Sequence, residues 1–274
     1  NSAGTSTGRF SSSKPNLQNQ PNNSDYPVRS AFIAEEGNDL IVLDWSQIEL
    51  RVMAHCTQDM SYMKAFFSGV DVHTATAKLL GISRKHAKNV NFGIPYGMGA
   101  DKLAISLGVS VEESKNILEK HRNTYTGYWA WDKRVKQLAA KDGSAKTIFG
   151  RIRKLPKRES YKAPNSIIQG SSADLMKLCM IKMYDRFKAV ERFTEVKILM
   201  TVHDEIILEC PQHLSLEVYD EVEKIMDSSV VLKVPLKSDG KIVSNWDEMK
   251  DEEAPGLHPQ RLSERDLPTL ISLL

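Results

Sequence analysis

The sequence has few cysteines, no long apolar run and no excess of charge of either sign. Its three cysteines show no CxxC spacing and are odd in number, which argues against a disulfide framework and against a zinc site. Apolar runs such as Leu40–Leu43 are far shorter than the ~20 residues that a membrane-spanning helix needs. The opening residues hold no apolar core of the secretory kind. We therefore expect a protein of the cell interior, neither secreted nor held in a membrane.

The charges nearly cancel, so net charge alone does not identify a binding partner. Thirty-seven Lys and Arg residues face 35 Asp and Glu residues, which leaves +2. Basic residues nevertheless cluster: the window from Lys146 to Lys162 holds seven of them against one acid, Glu159. Such asymmetry is typical of a surface that binds a phosphate backbone, although an ordinary solvated surface explains an isolated run equally well.

The order of apolar and polar segments predicts an α+β fold. A chain of 274 residues suits one large domain or two closely joined ones. Leu40–Leu43 has the pattern of a buried strand that ends at Asp44, and Gln47–Phe67 has helical spacing. One long helical stretch is expected over Val111–Ala140 with Ser110 as its N-cap, and a further helix is expected after Gly170. Residues 145–155 predict a hairpin that turns near Gly150. Few strands among many helices, without strict alternation, favour α+β.

Two aspartates lie at predicted strand ends. Asp44 ends the first apolar strand, and Asp204 sits in the turn between the strands KILMTV and EIILEC. Mg²⁺ prefers one or two carboxylates completed by water and substrate phosphates, and a pair of such ions supports nucleotidyl transfer. Because aspartate is also a common turn residue without any function, the spacing alone leaves both interpretations open.

Four residues at intervals of four predict a ligand-binding helix face: Arg84, Lys88, Phe92 and Tyr96. The cations are suited to phosphates and the aromatic rings to stacking on a base. An amphipathic helix with a basic end is the simpler alternative. Pro95 lacks an N–H for the carbonyl of residue 91, so we expect a kink or break there.

These residues and their order resemble DNA polymerases of family A. The motifs are DWSQIELR at 44–51, RKHAKNVNFGIPYG at 84–97 and VHDE at 202–205, together with TSTGRFSSSKPNLQNQP at 5–21, QGSSAD at 169–174 and NWD at 245–247. The resemblance covers about residues 5–249. It implies a palm, which is a small antiparallel sheet backed by helices, and a helical fingers subdomain.

The resemblance implies domain limits and missing parts. The first part of the palm would cover 1–50, the fingers 51–145, the second part of the palm 146–250, and a C-terminal tail 251–274. The thumb and exonuclease domains of the family precede the TSTGRF stretch and have no counterpart in this sequence. A companion segment or chain is therefore expected to supply them.

The resemblance also implies the metal site. Asp44 and Asp204, with the carbonyl of Trp45, would hold two Mg²⁺ ions, for which Mn²⁺ is a substitute. Glu205 would support this site, and Lys88 would act with these acids in catalysis. The reaction would add deoxynucleotides to a primer 3′ end on a DNA template, in a bacterium, an organelle or a phage-infected cell.

The implied substrate residues fall into two sets. Those expected to bind the deoxynucleoside triphosphate are Gln47, Glu49, His73, Arg84, Lys88, Phe92 and Tyr96. Among them, Glu49 and Tyr96 would exclude a 2′-hydroxyl. Those expected to contact the primer–template are Arg9, Asn165, Gln169 and His203 near the 3′ end, and Arg151, Arg153 and Lys154 along the duplex.

Two other functions stay open. A fragment without a thumb would be a non-catalytic or partner-dependent DNA-binding module. A related single-subunit RNA polymerase is the third possibility, against which Glu49 and the QGSSAD stretch argue. No GxSxG, Walker-type or HExxH motif offers a competing chemistry.

Overall fold

A computed structural model describes residue 1, residues 4–21 and residues 27–250. The predicted tail at 251–274 lies outside the described residues. The chain forms two compact units. Unit one contains residues 1–18, 45–183 and 225–238, and unit two contains the described residues within 19–44, 184–224 and 239–250. Across these described residues, no helix is both long and apolar enough to cross a membrane.

The described elements are helices and short strands in an α+β order, which confirms the predicted fold class. The helices are α1 Ile48–Thr57, α2 Met60–Phe67, α3 Val72–Leu80, α4 Arg84–Gly93, α5 Ala100–Leu107, α6 Val111–Thr124, α7 Thr126–Asp142, α8 Ala163–Ala189 and α9 Ser215–Ser228. The strands are β1 Asn38–Trp45, β2 Ser144–Lys146, β3 Ile152–Lys154, β4 Lys197–Val202, β5 Glu205–Pro211 and β6 Ser238–Val243.

Unit one is mainly helical, and a hydrophobic core lies among α1 to α7. Fully buried members include Met53, Tyr62 and Val90. Side chains cap several of these helices, because a short polar side chain can accept from N–H groups that lack a partner in the first turn. Ser83 caps α4 and Ser110 caps α6, where its Oγ accepts from the N–H of Glu113 at 3.1 Å, as the sequence predicted.

The long helix expected over Val111–Ala140 is two helices, so that prediction was wrong. Tyr125 separates α6 from α7 with non-helical backbone angles, and its hydroxyl lies 2.7 Å from the Thr76 hydroxyl. At the start of α7, Gly127 lies so close to Asp59 that an added Cβ would be 3.0 Å from the Asp59 Cα. Contacts with residues far away in sequence thus impose a break that local spacing does not reveal.

The helix that carries the basic and aromatic motif ends before Pro95. Helix α4 stops at Gly93, and the chain then turns through Gly97, whose φ is +81°. This confirms the break that the sequence predicted, since a proline cannot donate to the carbonyl of residue 91. Arg84, Lys88 and Phe92 share the helix, whereas Tyr96 lies in the following turn. The prediction that all four residues share one helix face was therefore wrong for Tyr96.

Helix α8 begins at Ala163, not after Gly170 as the sequence predicted. Gly170 lies inside the helix, where a Cβ would stand 2.8 Å from Thr147 Cγ2 and 2.9 Å from Arg151 Nη2. The glycine permits the β2–β3 hairpin to approach the helix closely, so its role is packing and not termination. The hairpin itself, with Lys146 opposite Ile152 and Gly150 at φ +94°, is as predicted.

Unit two is built around the sheet β4-β5-β1-β6. Strand β5 pairs antiparallel with both β1 and β4. The apolar side chains of these strands form a second core that includes Leu40, Val42, Ile207 and Trp246. This sheet is the small antiparallel sheet expected of a palm, and it fixes where both motif aspartates emerge.

Candidate active site

Three carboxylates come together at one end of the sheet in unit two. Asp44 and Glu205 are direct partners in the antiparallel register of β1 and β5. Asp204 immediately precedes Glu205 in the two-residue turn from β4. The other turn residue, His203, is exposed and has a φ of +59°, a left-handed conformation in which His is enriched among non-glycine residues. Strand pairing thus unites two aspartates that are 160 positions apart in sequence.

Glu205 is held by the protein through Trp246. The Nε1 of Trp246 donates to Glu205 Oε1 at 2.8 Å, and the guanidinium of Arg29 lies over the Trp246 ring, 4.2 Å from its centroid. Burial raises the pKa of Glu205, and Asp204 raises it further, while the Trp246 bond and Arg29 act in the opposite direction. Glu205 is therefore held beside Asp204 by its bond from Trp246.

The donor set at this end of the sheet fits Mg²⁺. Asp44 and Asp204 are both half-buried, so each keeps contact with solvent. In the part of the chain that the structure describes, no group of three or more His, Cys, Asp or Glu residues is arranged to hold a metal. Half-buried aspartates are donors of the type that Mg²⁺ takes, with water and substrate phosphates as its other ligands.

Trp45 follows Asp44 as the last residue of β1 and belongs to unit one. Its side chain is buried, and Nε1 donates to the carbonyl of Met226 at 3.2 Å. The side chain therefore points into the protein. The burial and the hydrogen bond of this side chain hold the backbone of residue 45 in place.

The predicted triphosphate ligands of unit one lie on α3 and α4. Arg84 and Lys88 are exposed on α4. Arg84 forms a two-pronged ion pair with Asp71, in which Nε and Nη2 donate at 3.1 and 3.2 Å. Phe92 packs against the core with its ring 5.5 Å from that of His73. These side chains share one region of the unit, as the motif predicted.

His73 is buried beside this basic region. Its Nδ1 lies 3.1 Å from the Nδ2 of Asn91. Burial lowers the pKa of His73, Asp71 opposes that shift, and the positive charges of Arg84 and Lys88 lower the pKa further. The ring is therefore neutral at pH 7.

Four polar residues of unit one form a connected group, namely Arg9, Glu49, Tyr96 and Gln169, and Gln47 bonds separately to Asp71. Arg9 pairs with Glu49, and the Tyr96 hydroxyl donates to Glu49 Oε2 at 3.3 Å. Gln169 donates to the Tyr96 hydroxyl, and Gln47 donates to Asp71 at 2.9 Å. Burial and Glu49 raise the pKa of Tyr96. The two residues predicted to exclude a 2′-hydroxyl, Glu49 and Tyr96, are therefore in contact.

The basic hairpin is less open to solvent than its sequence suggested. Arg151 donates to Asp174 at 2.6 Å and to the carbonyls of Gly170 and Thr7. Arg153 donates to the Ser166 hydroxyl at 2.8 Å. Lys154 is exposed. Asn165, also predicted to contact DNA, is half-buried on α8 one turn before Gln169.

Sequence reasoning missed the roles of three residues: Asp71, Asn91 and Trp246. Asp71 caps α3 and also holds Arg84 and Gln47. Asn91 is fully buried beside His73. A polar residue on the buried side of an amphipathic helix was the available signal for Asn91. The partners of the other two come from distant segments, which local patterns do not indicate.

Comparison with known proteins finds DNA polymerases that are similar to this chain. The family model described as DNA polymerase family A matches residues 1–248. The chain is 37% identical over 273 residues to the thermostable DNA polymerase I of Thermus filiformis, covering 92% of this chain and 32% of that protein. It is also 37% identical over 266 residues to DNA polymerase I of Helicobacter pylori, covering 90% of this chain and 30% of that protein. The chain therefore spans about a third of the length of these relatives.

A solved structure shares the fold. The POL domain of Pol1 from M. smegmatis, in complex with DNA primer-template and dNTP, matches with a TM-score of 0.84 and 33% sequence identity. The match covers 90% of this chain and 47% of that one.

Proposed function

The chain belongs to DNA polymerase family A, and on that premise we propose that it is the core of a template-directed DNA polymerase. It would add deoxynucleotides to the 3′ end of a primer. The observation that carries the proposal is the pairing of β1 with β5, which brings Asp44 and Asp204 to one end of a sheet. Other parts of a longer protein, or a second chain, would supply the remaining two thirds of the relatives' length.

The two aspartates would hold the metal ions, with the carbonyl of Trp45 as the predicted third ligand. Two Mg²⁺ ions, when bound, supply positive charge that activates the attacking hydroxyl and neutralises the leaving group. Glu205 orients this end of the sheet through its bond to Trp246, and is not needed as a ligand. Because phosphoryl and nucleotidyl transfer depend mainly on positioning and charge, these side chains need no covalent role.

The cations Arg84 and Lys88 on α4 would bind the triphosphate, together with His73 on α3. Lys88 is exposed and would offer a point charge to the phosphates. This expected contact with the phosphates is the reason for counting Lys88 among the catalytic residues. Arg84 already binds a carboxylate with two donors, which is the geometry that it would offer to a phosphate. Phe92 would pack against the sugar and base. Glu49 and Tyr96, which contact each other, would exclude a 2′-hydroxyl.

The primer–template would be bound by polar and basic side chains. The predicted contacts are Arg9, Asn165, Gln169, His203, Arg151, Arg153 and Lys154. Exposed Lys154 would pair with backbone phosphates, whereas Arg151 and Arg153 would shape the hairpin through their bonds to the protein. The primer-template and dNTP in the M. smegmatis complex support this proposal.

Primer extension by the chain with Mg²⁺ tests the proposal. We expect incorporation of deoxynucleotides and not of ribonucleotides. Asp204→Asn should lower incorporation by at least ~10³-fold and leave primer–template affinity unchanged, because it removes a metal ligand and no DNA contact. Asp220→Asn is the matched control, since Asp220 is an exposed aspartate of unit two on α9.

Full activity of Asp204→Asn would refute the metal assignment. Incorporation of ribonucleotides alone would favour the RNA polymerase alternative. Binding without extension by the unaltered chain would favour the partner-dependent fragment, and adding a thumb-containing companion would then restore synthesis.

A further inference from the structure

We propose that a directional chain of four hydrogen bonds, running from Trp129 to His73, decides which ring nitrogen of His73 carries its proton. The chain passes through His121, Tyr62 and Asn91. All five residues lie in unit one. The functional meaning rests on the proposed role of His73 in binding the triphosphate, and Asn91 acts in it as a positioning residue.

The chain begins at an indole, which can only donate. The Nε1 of Trp129 lies 3.0 Å from the Nδ1 of His121, so this ring nitrogen must accept. His121 is 1% exposed, and burial lowers its pKa to about 3. A neutral imidazole whose Nδ1 accepts carries its proton on Nε2.

The second and third bonds run through Tyr62. Its hydroxyl oxygen lies 3.4 Å from His121 Nε2 and 3.3 Å from Asn91 Oδ1. Because Nε2 of His121 donates, Tyr62 accepts there and gives its single proton to Asn91. Burial raises the pKa of Tyr62 well above its usual value, so this proton is retained.

The fourth bond transmits the direction to His73. With Oδ1 accepting from Tyr62, the amide nitrogen of Asn91 faces Nδ1 of His73 at 3.1 Å and donates to it. The Thr76 hydroxyl is compatible with this orientation, since it lies 3.1 Å from Asn91 Oδ1 and 3.0 Å from Asn91 Nδ2 and can donate to the first or accept from the second. It also lies 2.7 Å from the Tyr125 hydroxyl. Asn91 and Thr76 are fully buried, so water does not compete with these bonds.

The consequence is a neutral His73 with its proton on Nε2. Within the described part of the chain, Nδ1 is the only ring nitrogen of His73 with a hydrogen-bond partner. Phosphate oxygens only accept, so an Nε2–H donates to them, whereas the opposite tautomer would present a lone pair and repel them. Asp71, Arg84, Lys88 and Phe92 surround the ring, and of these only Asp71 favours the imidazolium.

The first test reads the tautomer directly. Protein labelled with ¹⁵N histidine would be examined by NMR without nucleotide or DNA, and His73 would be assigned by loss of its signals in His73→Gln. We expect ¹⁵N shifts typical of an Nε2–H tautomer in the unaltered chain. An Nδ1–H tautomer there would overturn the proposal, whatever the variants do.

The second test uses Asn91→Asp, which has the same shape but only acceptors. His73 must then donate from Nδ1, so we expect the neutral Nδ1–H tautomer, whose Nε2 can only accept. Loss of the ring's donor to a charged group should raise the KM for deoxynucleotides by about 10- to 100-fold, with a smaller change in kcat. Asn89→Asp is the matched control, because Asn89 lies on the same helix and bonds to the Ser106 carbonyl instead. An unchanged tautomer and KM in Asn91→Asp would refute the relay.

Trp129→Phe tests where the relay starts. Without the indole donor, His121 should populate both tautomers, while Trp131→Phe should leave His121 unchanged. An unaltered Nε2–H signal of His121 in Trp129→Phe would overturn the relay at its first step. These readings are independent of catalysis: inactivity in primer extension with an intact tautomer pattern would refute the proposed function and leave the relay standing.

Discussion

Asp71 links a helix cap to the predicted phosphate-binding arginine. Its carboxylate accepts from the N–H of Thr74 at 2.7 Å and from both donor groups of Arg84. Partial burial raises the pKa of Asp71, but the bonds from Arg84 and Thr74 outweigh it and lower the pKa to about 2. A triphosphate that binds Arg84 with two donors must compete with this carboxylate.

Asp71→Asn should therefore strengthen nucleotide binding. The amide oxygen can still cap α3, while the charge that holds Arg84 is removed. We expect the KM for deoxynucleotides to fall by about 2- to 5-fold, the range of an exposed ion pair. Steady-state primer extension measures this, with the exposed Asp101→Asn as control. A raised KM would mean that Asp71 positions Arg84 and does not compete for it.

Asp71→Asn should also change how the unfolding free energy depends on pH in acid. Since the folded pKa of Asp71 is lowered, its contribution to stability is present above its ordinary pKa of 3.8 and is lost as the pH falls toward 2. The unfolding free energy of Asp71→Asn should depend less on pH between about 4 and 2 than that of the unaltered chain. Urea unfolding at several pH values measures the difference. Parallel curves would contradict the ion pair.

At the scale of elements, one aspartate joins two helices. Asp59 Oδ1 accepts from the N–H of Ser61 at the start of α2, and Oδ2 accepts from the N–H of Tyr128 in α7 at 3.2 Å. The Asp59 side chain is 2% exposed. If its carboxylate were removed, both N–H groups would lose their acceptor and water could not replace it. This double cap explains why α7 begins where it does.

Asp59→Ala should lower the unfolding free energy by ~2–3 kcal/mol, because two caps of about 1 kcal/mol each are lost at a buried site. Asp59→Asn keeps one acceptor oxygen and should lose about half as much. Ser110→Ala, which removes a single cap from α6, gives the scale for one cap. Urea unfolding distinguishes these values, and equal losses for Asp59→Ala and Asp59→Asn would rule out the double cap.

For the whole molecule, the distribution of charge matters more than its sum of +2. Exposed Lys154, Lys157 and Arg158 lie together at the end of the hairpin, while Arg151 and Arg153 are bonded within the protein. Non-specific affinity for nucleic acid depends on phosphates neutralised by solvent-exposed cations. The exposed three should therefore account for most of this hairpin's contribution.

Replacing these three residues with Ala should weaken primer–template binding and make it less dependent on salt. The slope of log K against log salt should become shallower by about 2–3 units, since each neutralised phosphate contributes about 0.9. Fluorescence anisotropy across a salt series measures it. A control with the exposed Lys115, Lys133 and Lys188 replaced by Ala should keep the original slope. Equal slopes in both variants would place the duplex elsewhere.

The sequence by itself determined the family and the α+β class, and it predicted the break at Pro95 and the cap at Ser110. These features depend on residue types at fixed local spacing: a proline removes its own N–H, and a serine caps the turn that follows it. The site residues stay predictions from motif resemblance. The sequence shows the types and the order of these residues, but it does not show their hydrogen-bond partners.

The tertiary structure alone decided which groups meet. It divided α6 from α7 at Tyr125, extended α8 back to Ala163, bonded Arg151 within the protein and joined Trp246 to Glu205. Each of these depends on a contact between segments far apart in sequence. Hydrogen bonds and close packing depend on which groups are neighbours in three dimensions. The periodicity of apolar residues indicates only which side of a helix or strand is buried. The relay from Trp129 to His73 belongs to the same class, because its five members come from five different helices.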